Sequence, residues 1–540
     1  MISLYLAPPS ELAELRAFRV RVFRAELGIQ EDTYQDVFND HFSKNVVLRE
    51  SGRLVGTVRL AFSREAQEFY ISYLTVESDK RKRAQLGLLL GAFFLLMKRN
   101  QIQTIRGDSA DYNLEMYLTA GCRVVGPKFR KYGFTCEWTP MTYTLGTNSI
   151  TEKHLMDHAL KYVGWEESEW RFKPRLLRCK DLRSYERALD SLIATRQIFG
   201  LIPHLCAEGE APSEFSSAWL DDSTISEADD LPPTPEGQGQ SEFENFNRSF
   251  NPRNVIMVRR DSPLSALAKT YGLLSGKTLV AVDDWAALNL DKPEQVGSVL
   301  LVVAPEEAQA AVAALRASLP DVTWGIATGP DPRAFSRFLL KNYFRFVGPL
   351  QPGESLLSRD PGASAKLLAA DVADFGGSLA GDDSHALRLL DGSASHVVFG
   401  KTRHFEEAFL MLSCLCEAGY TTGEAVRFVN AALGDAGLTG ADGGEKLWLF
   451  GDPTLRLLPP RPCAVETDLQ AVNGSLKVTL KRSGPEARVY HVKLDTDARL
   501  TSFKPSGNGI HSAVCSVGST QHLFAYASTT LPDHLTIILT

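Results

Sequence analysis

The chain has no pair of cysteines in C-x-x-C spacing, and its eight cysteines are scattered over 540 residues. That removes a disulfide framework and a cysteine zinc site from consideration, and no metal centre is expected. Positive charge is not in excess either. Lys and Arg number 58 against 65 Asp and Glu, a formal net charge of −7, so nothing electrostatic directs the protein to nucleic acid. No leader is expected, because Met1-Ile-Ser-Leu carries no basic stretch followed by an apolar one. Long apolar runs are missing too. The longest, Leu86 to Met97, is well short of the roughly 20 residues that span a bilayer, so a cytoplasmic protein without a transmembrane segment is expected. Cys414 and Cys416 lie in an apolar, helix-like run and read as buried core.

A chain of 540 residues is too long for a single core. Residues 1–148 alternate strand-like and helix-like stretches, the order of a mixed α/β domain. Residues 149–207 read as a helical extension, with Leu155, Ala159, Tyr162 and Val163 at helical spacing. Over 208–252 the composition turns to Ser, Asp, Glu, Pro and Gly, with too little apolar surface to offset chain entropy, which predicts a flexible linker. Between 253 and 460, near-continuous apolar strands such as Asn254–Val258, Thr278–Val282, Ser298–Val303 and His396–Phe399 alternate with helices. That pattern predicts a mostly parallel sheet covered on both faces. In 461–540 helices give way to alternating strands rich in Val, Thr and Ser, which predicts a small β-sandwich.

Chemistry concentrates in the first unit. A strand ends at Leu74-Thr-Val76, a basic turn of Lys80 to Arg83 follows, and a helix starts near Gln85-Leu86-Gly87. A helix N-terminus preceded by cations is a ready anion cradle. Further on, Asn113 and Tyr117 stand one helical turn apart ahead of Gly121. These segments resemble the strand, turn and N-x-x-x-Y-x-x-x-G signatures of GNAT acyltransferases, with Gln85 where the first glycine of the turn usually stands. The resemblance implies an acyl-thioester donor, acyl-CoA or acyl carrier protein, held by Leu74, Val76, Lys82, Arg83, Gln85, Leu86, Gly87 and Asn113. It also implies Tyr117 as the acid that protonates the leaving thiolate; its other reading is a core tyrosine. The basic turn is alternatively a surface for an acidic carrier protein.

Arg19-Val-Arg-Val-Phe23, then Tyr34-Gln-Asp36-Val-Phe38-Asn39-Asp40, then Gly56-Thr-Val-Arg59-Leu60 follow in order. This series is similar to that of autoinducer synthases and N-acyl amino acid synthases. It implies that Arg19, Phe23, Phe38 and Arg59 line the acceptor and acyl chain, with Glu68 or Asp36 as the base, directly or through water. Arg59 has two readings, a structural partner of Asp36 or a fork for an acceptor carboxylate. Asn39 replaces an aspartate of that family, and Tyr70 and Tyr73 replace its E-x-x-R pair, which argues against a homoserine lactone product. The apolar stretch Phe93–Leu96 is either an acyl-chain tunnel or a buried helix face.

Late in the second unit stands Leu447-Trp-Leu-Phe-Gly451-Asp452-Pro453-Thr454-Leu-Arg-Leu457. With Gly423-Glu424-Ala425 and the strand ending at Val398, it resembles the close of the caspase-like domain of gingipain-type cysteine peptidases, in which a β-sandwich of Ig type follows. No His-Gly dipeptide occurs in 253–460, and the strand expected to carry the nucleophile, Lys366 to Phe375, has Asp371 and no cysteine. A pair of Cys414 with His385 or His404 is the remaining route to peptidase chemistry. The expectation is therefore an N-acyltransferase of an amino acid or similar amine joined to a pseudoprotease scaffold. The alternative is a peptidase-type or regulatory protein in which the first domain senses acyl donors.

Overall fold

The computed structural model describes residues 2–8, 11–28, 43–63, 68–77, 83–100, 102–130, 136–164, 175–194, 201–206, 225–228, 231, 233–235, 237–247, 251–288, 290, 293–328, 331–347, 355–360, 365–371, 396–400, 404–438, 447–458, 463–472, 474–494, 500–506 and 509–539. Among them no helix is long and apolar enough to cross a membrane.

The first unit contains β1 (Ile2–Leu6), α1 (Leu12–Leu27), β2 (Lys44–Glu50), β3 (Arg53–Ser63), β4 (Glu68–Val76), α2 (Arg83–Arg99) and β5 (Thr104–Ala110). After these come α3 (Leu114–Thr119), β6 (Arg123–Val124), β7 (Phe129–Arg130), β8 (Glu137–Thr144) and α4 (Ser149–Ala159). They build one mixed sheet in the order β1-β2-β3-β4-β5-β8-β6, with β7 also on β8. Every pair is antiparallel except β4 with β5. One face is apolar: Val46, Leu48, Val58, Leu60 and Val76 pack against Leu88, Leu89, Phe93 and Leu96 of α2. Phe93 and Leu96 are fully buried there, so this stretch is a helix face in the core.

The first unit also runs past residue 148. Helix α4 lies across α2 at Gly91, where a Cβ would sit 2.1 Å from the Leu155 carbonyl oxygen, so only glycine permits this approach. The chain then returns to β1, with the Leu4 amide donating to Tyr162 O at 3.1 Å and the Gly164 amide to Leu4 O at 3.0 Å. The helical extension expected over 149–207 is corrected accordingly. Tyr162 and Val163 follow the helix and pack on the first core, and beyond them the chain forms β9 (Arg175–Cys179), α5 (Leu182–Ala194) and β10 (Leu201–Leu205). Strands β10 and β11 (Ile225–Glu227) flank β9, both parallel to it. The linker expected over 208–252 contains a docked helix, α6 (Gln238–Asn247). Its Phe243 is buried under the Lys269 ammonium, and the Asn247 side chain pairs with both backbone groups of Leu279. One anchoring aromatic was too little apolar signal to reveal it.

The second unit comprises β12 (Asn251–Arg259), α7 (Ser265–Ser275), β13 (Lys277–Val282), β14 (Ser298–Val302), α8 (Ala308–Ser318), β15 (Thr323–Ala327) and α9 (Pro332–Val347). Then come β16 (Ser355–Ser358), β17 (Ala365–Asp371), β18 (His396–Gly400), α10 (Phe405–Glu417), α11 (Thr422–Asp435) and β19 (Leu447–Phe450). The sheet order is β13-β12-β14-β15-β19-β18-β17-β16. It is mostly parallel, as near-continuous apolar strands require, but falls into two parallel blocks that meet antiparallel at β18 and β19.

The segment after β19 ties these elements together. Gly451 has φ +139° and lies so close to His396 that a Cβ would come within 2.1 Å of its ring. Asp452 is buried. Its Oδ2 accepts from Lys277 Nζ at 2.7 Å and Tyr271 OH at 2.8 Å, and its Oδ1 from the Thr454 amide and hydroxyl at 2.9 and 2.7 Å. Burial alone would raise this carboxyl; the Lys277 charge and the hydrogen bonds outweigh it and hold the pKa down at about 2.

The last unit has strands β20 (Val465–Val472), β21 (Ser475–Arg482), β22 (Val489–Leu494), β23 (Ser502–Ser506), β24 (Ile510–Val517), β25 (Thr520–Ala527) and β26 (His534–Leu539). They form two antiparallel sheets, β20-β21-β26 and β22-β25-β24-β23. Val514, Leu523 and Ala525 face the other sheet, while the alternate residues Ala513, Cys515, Phe524 and Tyr526 join the core of the second unit beneath α10 and α11. At that junction Tyr420 OH meets His491 Nδ1 at 2.5 Å, and His491 Nε2 meets His522 Nδ1 at 2.8 Å.

Two outcomes are expected. Lys277→Met should destabilise the protein by about 3–5 kcal/mol by leaving a buried carboxylate without its cation, with Lys277→Met/Asp452→Asn recovering much of the loss in urea unfolding. Burial, with the neighbouring His522 and Lys493, holds His491 down at about 4, below its ordinary 6.5. Its neutral form is therefore favoured on folding, and stability should fall as pH drops from about 6.5 toward 4. His491→Phe should flatten that slope in thermal melts.

Candidate active site

Strand β4 has two distinct ends. It pairs with β5 at Phe69 with Ile105 and at Tyr70 with Arg106, and no ladder to β5 continues beyond Tyr70. Beyond that pair β5 stays close at first, since a Cβ on Gly107 would come 2.7 Å from Ile71 Cγ2. On the other edge, β4 pairs with β3 through a bulge: Thr57 faces Thr75 and Arg59 faces Ser72, so Val58 stands opposite both Tyr73 and Leu74. Tyr73 has φ +51°.

Strand alternation, shifted by this bulge, sorts the side chains. Phe69, Ile71, Leu74 and Val76 join the α2 core. Glu68, Tyr70, Ser72, Thr75 and Glu77 line the opposite face together with Thr57 and Arg59. That face is polar yet enclosed, since Arg19, Asn45, Thr57, Arg59, Thr75 and Glu77 are all buried. Helix α1 contributes Arg19, whose Nη2 donates to Asn45 Oδ1 at 2.8 Å, and Arg59 Nε donates to Ser72 Oγ at 2.9 Å. Both guanidiniums lie over the Tyr73 ring, 4.5 and 4.4 Å from its centroid, and Phe23 packs on the same ring at 5.5 Å. Glu77, just after the end of β4, is gripped by Arg21 at 2.9 Å and Arg53 at 2.6 Å.

Arg19, Phe23 and Arg59 are thus brought together around Tyr73. Leu74 and Val76 stand near the end of β4, and Gln85 and Leu86 in the first turn of the helix that follows it. A Cβ on Gly87 would come 3.3 Å from Leu155 Cδ2 on α4, so the small residue also suits the helix crossing. Asn113 precedes α3, and Tyr117 is half-buried on that helix, which follows the end of β5. Burial, reinforced by Cys122 and Tyr112, pushes Tyr117 up to about 12, so its hydroxyl keeps its proton at neutral pH.

Glu68 is placed differently. It opens β4, paired with Arg106 at 3.2 Å, and at about 3.3 Å per residue it lies roughly 13 Å along the strand from Ser72. Burial raises its carboxyl, against the lowering effect of Arg106 and the Tyr70 hydroxyl. Asp36, Phe38 and Lys82, and the side chain of Arg83, lie outside the described residues, as does His385. Tyr73, Thr75 and Glu77 carry no family signal in the sequence; their roles depend on a bulge and on arginines far away in the chain.

In the second unit Cys414 is buried, its Sγ donating to Ala527 O at 3.4 Å, and burial pushes the thiol up to about 11. That is the wrong direction for a nucleophile, because attack needs the thiolate. His404 instead packs against Phe503. Among the described residues no group of three or more His, Cys, Asp or Glu side chains stands together to hold a metal.

No protein family and no curated protein matches the chain. Solved structures resemble its N-terminal third, and these are GNAT acyltransferases. The CoA-dependent acyl-homoserine lactone synthase BjaI, solved with MTA, is 15% identical over 31% of this chain and 94% of its own, with a TM-score of 0.27. An acetyltransferase of the GNAT family from Staphylococcus aureus is 17% identical over 27% of this chain and 99% of its own, TM-score 0.24. The spermidine N-acetyltransferase from Vibrio cholerae, in complex with CoA and spermine, is 13% identical over 27% of this chain and 96% of its own, TM-score 0.22.

Thiol accessibility tests the placement of Cys414. Under native conditions iodoacetamide should label Cys136 and Cys463, which are partly exposed, and leave Cys179, Cys206, Cys414, Cys416 and Cys515 unmodified until the protein is unfolded, as read by mass spectrometry.

Proposed function

We propose that the first unit is an N-acyltransferase that moves an acyl group from acyl-CoA or an acyl carrier protein to the amine of an amino acid or a similar acceptor. The observation that carries this reading is the bulge in β4, just beyond its last pair with β5 and beside an enclosed cationic face. A thioester laid along β4 beyond Tyr70 would meet backbone N–H groups of that strand. These stabilise the oxyanion formed when the amine attacks the carbonyl carbon. The tetrahedral intermediate collapses with cleavage of the C–S bond, and Tyr117 delivers its proton to the departing thiolate. The proton lost by the attacking amine passes through water and the Tyr70 hydroxyl toward Glu68. Arg19 and Arg59 hold the acceptor's carboxylate, a task for which a planar fork is better suited than an ammonium.

The second unit is proposed as a caspase-like pseudoprotease scaffold followed by an Ig-like sandwich. The burial of Cys414 favours this over the peptidase reading. The same observation leaves donor sensing without proteolysis as the form of the alternative to be tested.

Purified protein given acyl-CoA and acyl-carrier donors of several chain lengths with a pool of amino acids should release free thiol and form N-acyl products in the mass spectrum. Absence of both from every donor would sink the proposal. Tyr117→Phe should lower kcat by about 100-fold with little change in acceptor KM. Because Glu68 must be ionised to accept a proton and burial raises its pKa, kcat/KM should rise with pH across a limb above the ordinary carboxylate range. Glu68→Gln should abolish that limb.

A further inference from the structure

Among the described residues two non-glycine positions have positive φ, Ser51 at 51° and Tyr73 at 51°. Ser51 belongs to the tight Ser51-Gly52 turn between β2 and β3, where such backbone is expected. Tyr73 lies in mid-strand, where regular pairing asks for extended backbone and a bulky side chain opposes the left-handed region. A conformation of that kind persists only where its surroundings over-determine it. Here three side chains from two elements do so. Arg19 of α1 and Arg59 of β3 stand over the ring at 4.5 and 4.4 Å, Phe23 of α1 packs on it, and each guanidinium is itself pinned, by Asn45 and Ser72.

The consequence lies on the other side of the strand. The bulge puts Ser72 and Tyr73 together on the polar face, and from Leu74 onward it sets which way each backbone group points. Regularising it would slip the register by one residue, exchanging buried Val76 for Thr75 and turning the backbone of residues 74–76 away from its present direction. Resting on the acyl-transfer reading above, we infer that Tyr73 is a positioning residue. Its ring, held by Arg19 and Arg59, locks the β4 bulge and so aims the backbone of Leu74–Val76 at the donor thioester. The same ring fixes the spacing of the two guanidiniums proposed to take the acceptor's carboxylate, so one side chain registers donor against acceptor.

The test uses the full-length protein carrying Tyr73→Phe, Tyr73→Leu or Tyr73→Gly, with Tyr73→Met as a volume-matched substitute should Tyr73→Leu fail to fold. Two readouts are taken: kcat and KM for each substrate, and amide hydrogen exchange of the β4 segment without substrate. Tyr73→Phe keeps the ring and should match the wild type in both. Tyr73→Leu and Tyr73→Gly should lose kcat by about tenfold or more, with a smaller change in KM, and their residues 72–76 should exchange faster. Gly tolerates the backbone conformation but lacks the ring, so its loss separates the ring from the φ angle. Wild-type kcat and exchange in Tyr73→Leu, or in Tyr73→Met in its place, would overturn the inference. So would a Tyr73→Phe variant as impaired as Tyr73→Leu, because the hydroxyl and not the ring would then matter. If the wild type transfers no acyl group from any donor, the acyl-transfer reading fails, and the exchange comparison alone decides whether the ring locks the bulge.

Discussion

A carboxylate removed from water must be met by a cation and by donors for its remaining lone pairs, and Asp452 meets this requirement with groups from widely separated parts of the chain. Lys277 opens β13 at one edge of the sheet, Tyr271 comes from α7, and Thr454 from the turn that Asp452 itself begins. Thr422, which opens α11, donates to the Asp452 carbonyl at 3.0 Å. With Lys277 and Asp452 both almost fully buried, none of these contacts can be exchanged for water. The consequence is geometric: the end of β19, an edge strand and two helices have to converge on one point. Such a pair adds little net stability over apolar residues of the same volume, but it penalises arrangements in which the partners fail to meet. Gly451 and Gly423 belong to the same constraint, one against the His396 ring and the other against Pro453, where a Cβ would come within 2.6 Å. The segment that most resembles an enzyme signature is thereby accounted for by packing.

In the first unit a single sheet serves two solvents. Its α2 face is hydrocarbon, and its α1 face is mixed: Leu15, Phe18 and Val22 of α1 pack on Val47 and Leu54, while Arg19, Asn45, Thr57 and Arg59 form an enclosed polar region beside them. Perfect alternation would keep the two faces separate along the whole of β4. The bulge at Tyr73 interrupts that alternation a few residues beyond the last β4–β5 pair, so the break in the strand and the cationic face fall at one place.

Much of this was legible in the sequence, and what was missed has physical reasons. Apolar runs marked β12, β13, β14 and β18 because strands covered on both faces need apolar residues at nearly every position. The end of β4 at Val76 and the helix after it were visible because a strand, a turn and a helix follow one another locally. Gly87 looked like part of an anion cradle, and its neighbour is α4, more than 60 residues further on, a crossing that no local pattern encodes. Tyr73 read only as the loss of a family arginine, since a bulge leaves no trace in the hydrophobic pattern when the residue it adds is aromatic. Glu77 was passed over because Arg21 and Arg53, its partners, come from α1 and β3. Helix α6 was hidden within an acidic, proline-rich stretch that one buried phenylalanine was too weak to contradict.

The polar face also raises a question of cost. Enclosing Arg19 and Arg59 forfeits hydration that an apolar pair of similar volume would not need, and stability alone would favour the apolar pair. The structure offsets part of that cost with an amide, a serine hydroxyl and the electron-rich face of Tyr73. Glu77 shows a contrast within the same sheet, since its two arginines are largely exposed and their charge is met by the carboxylate. Guanidiniums exposed in that way keep most of their hydration, whereas Arg19 and Arg59 must be held by groups within the fold.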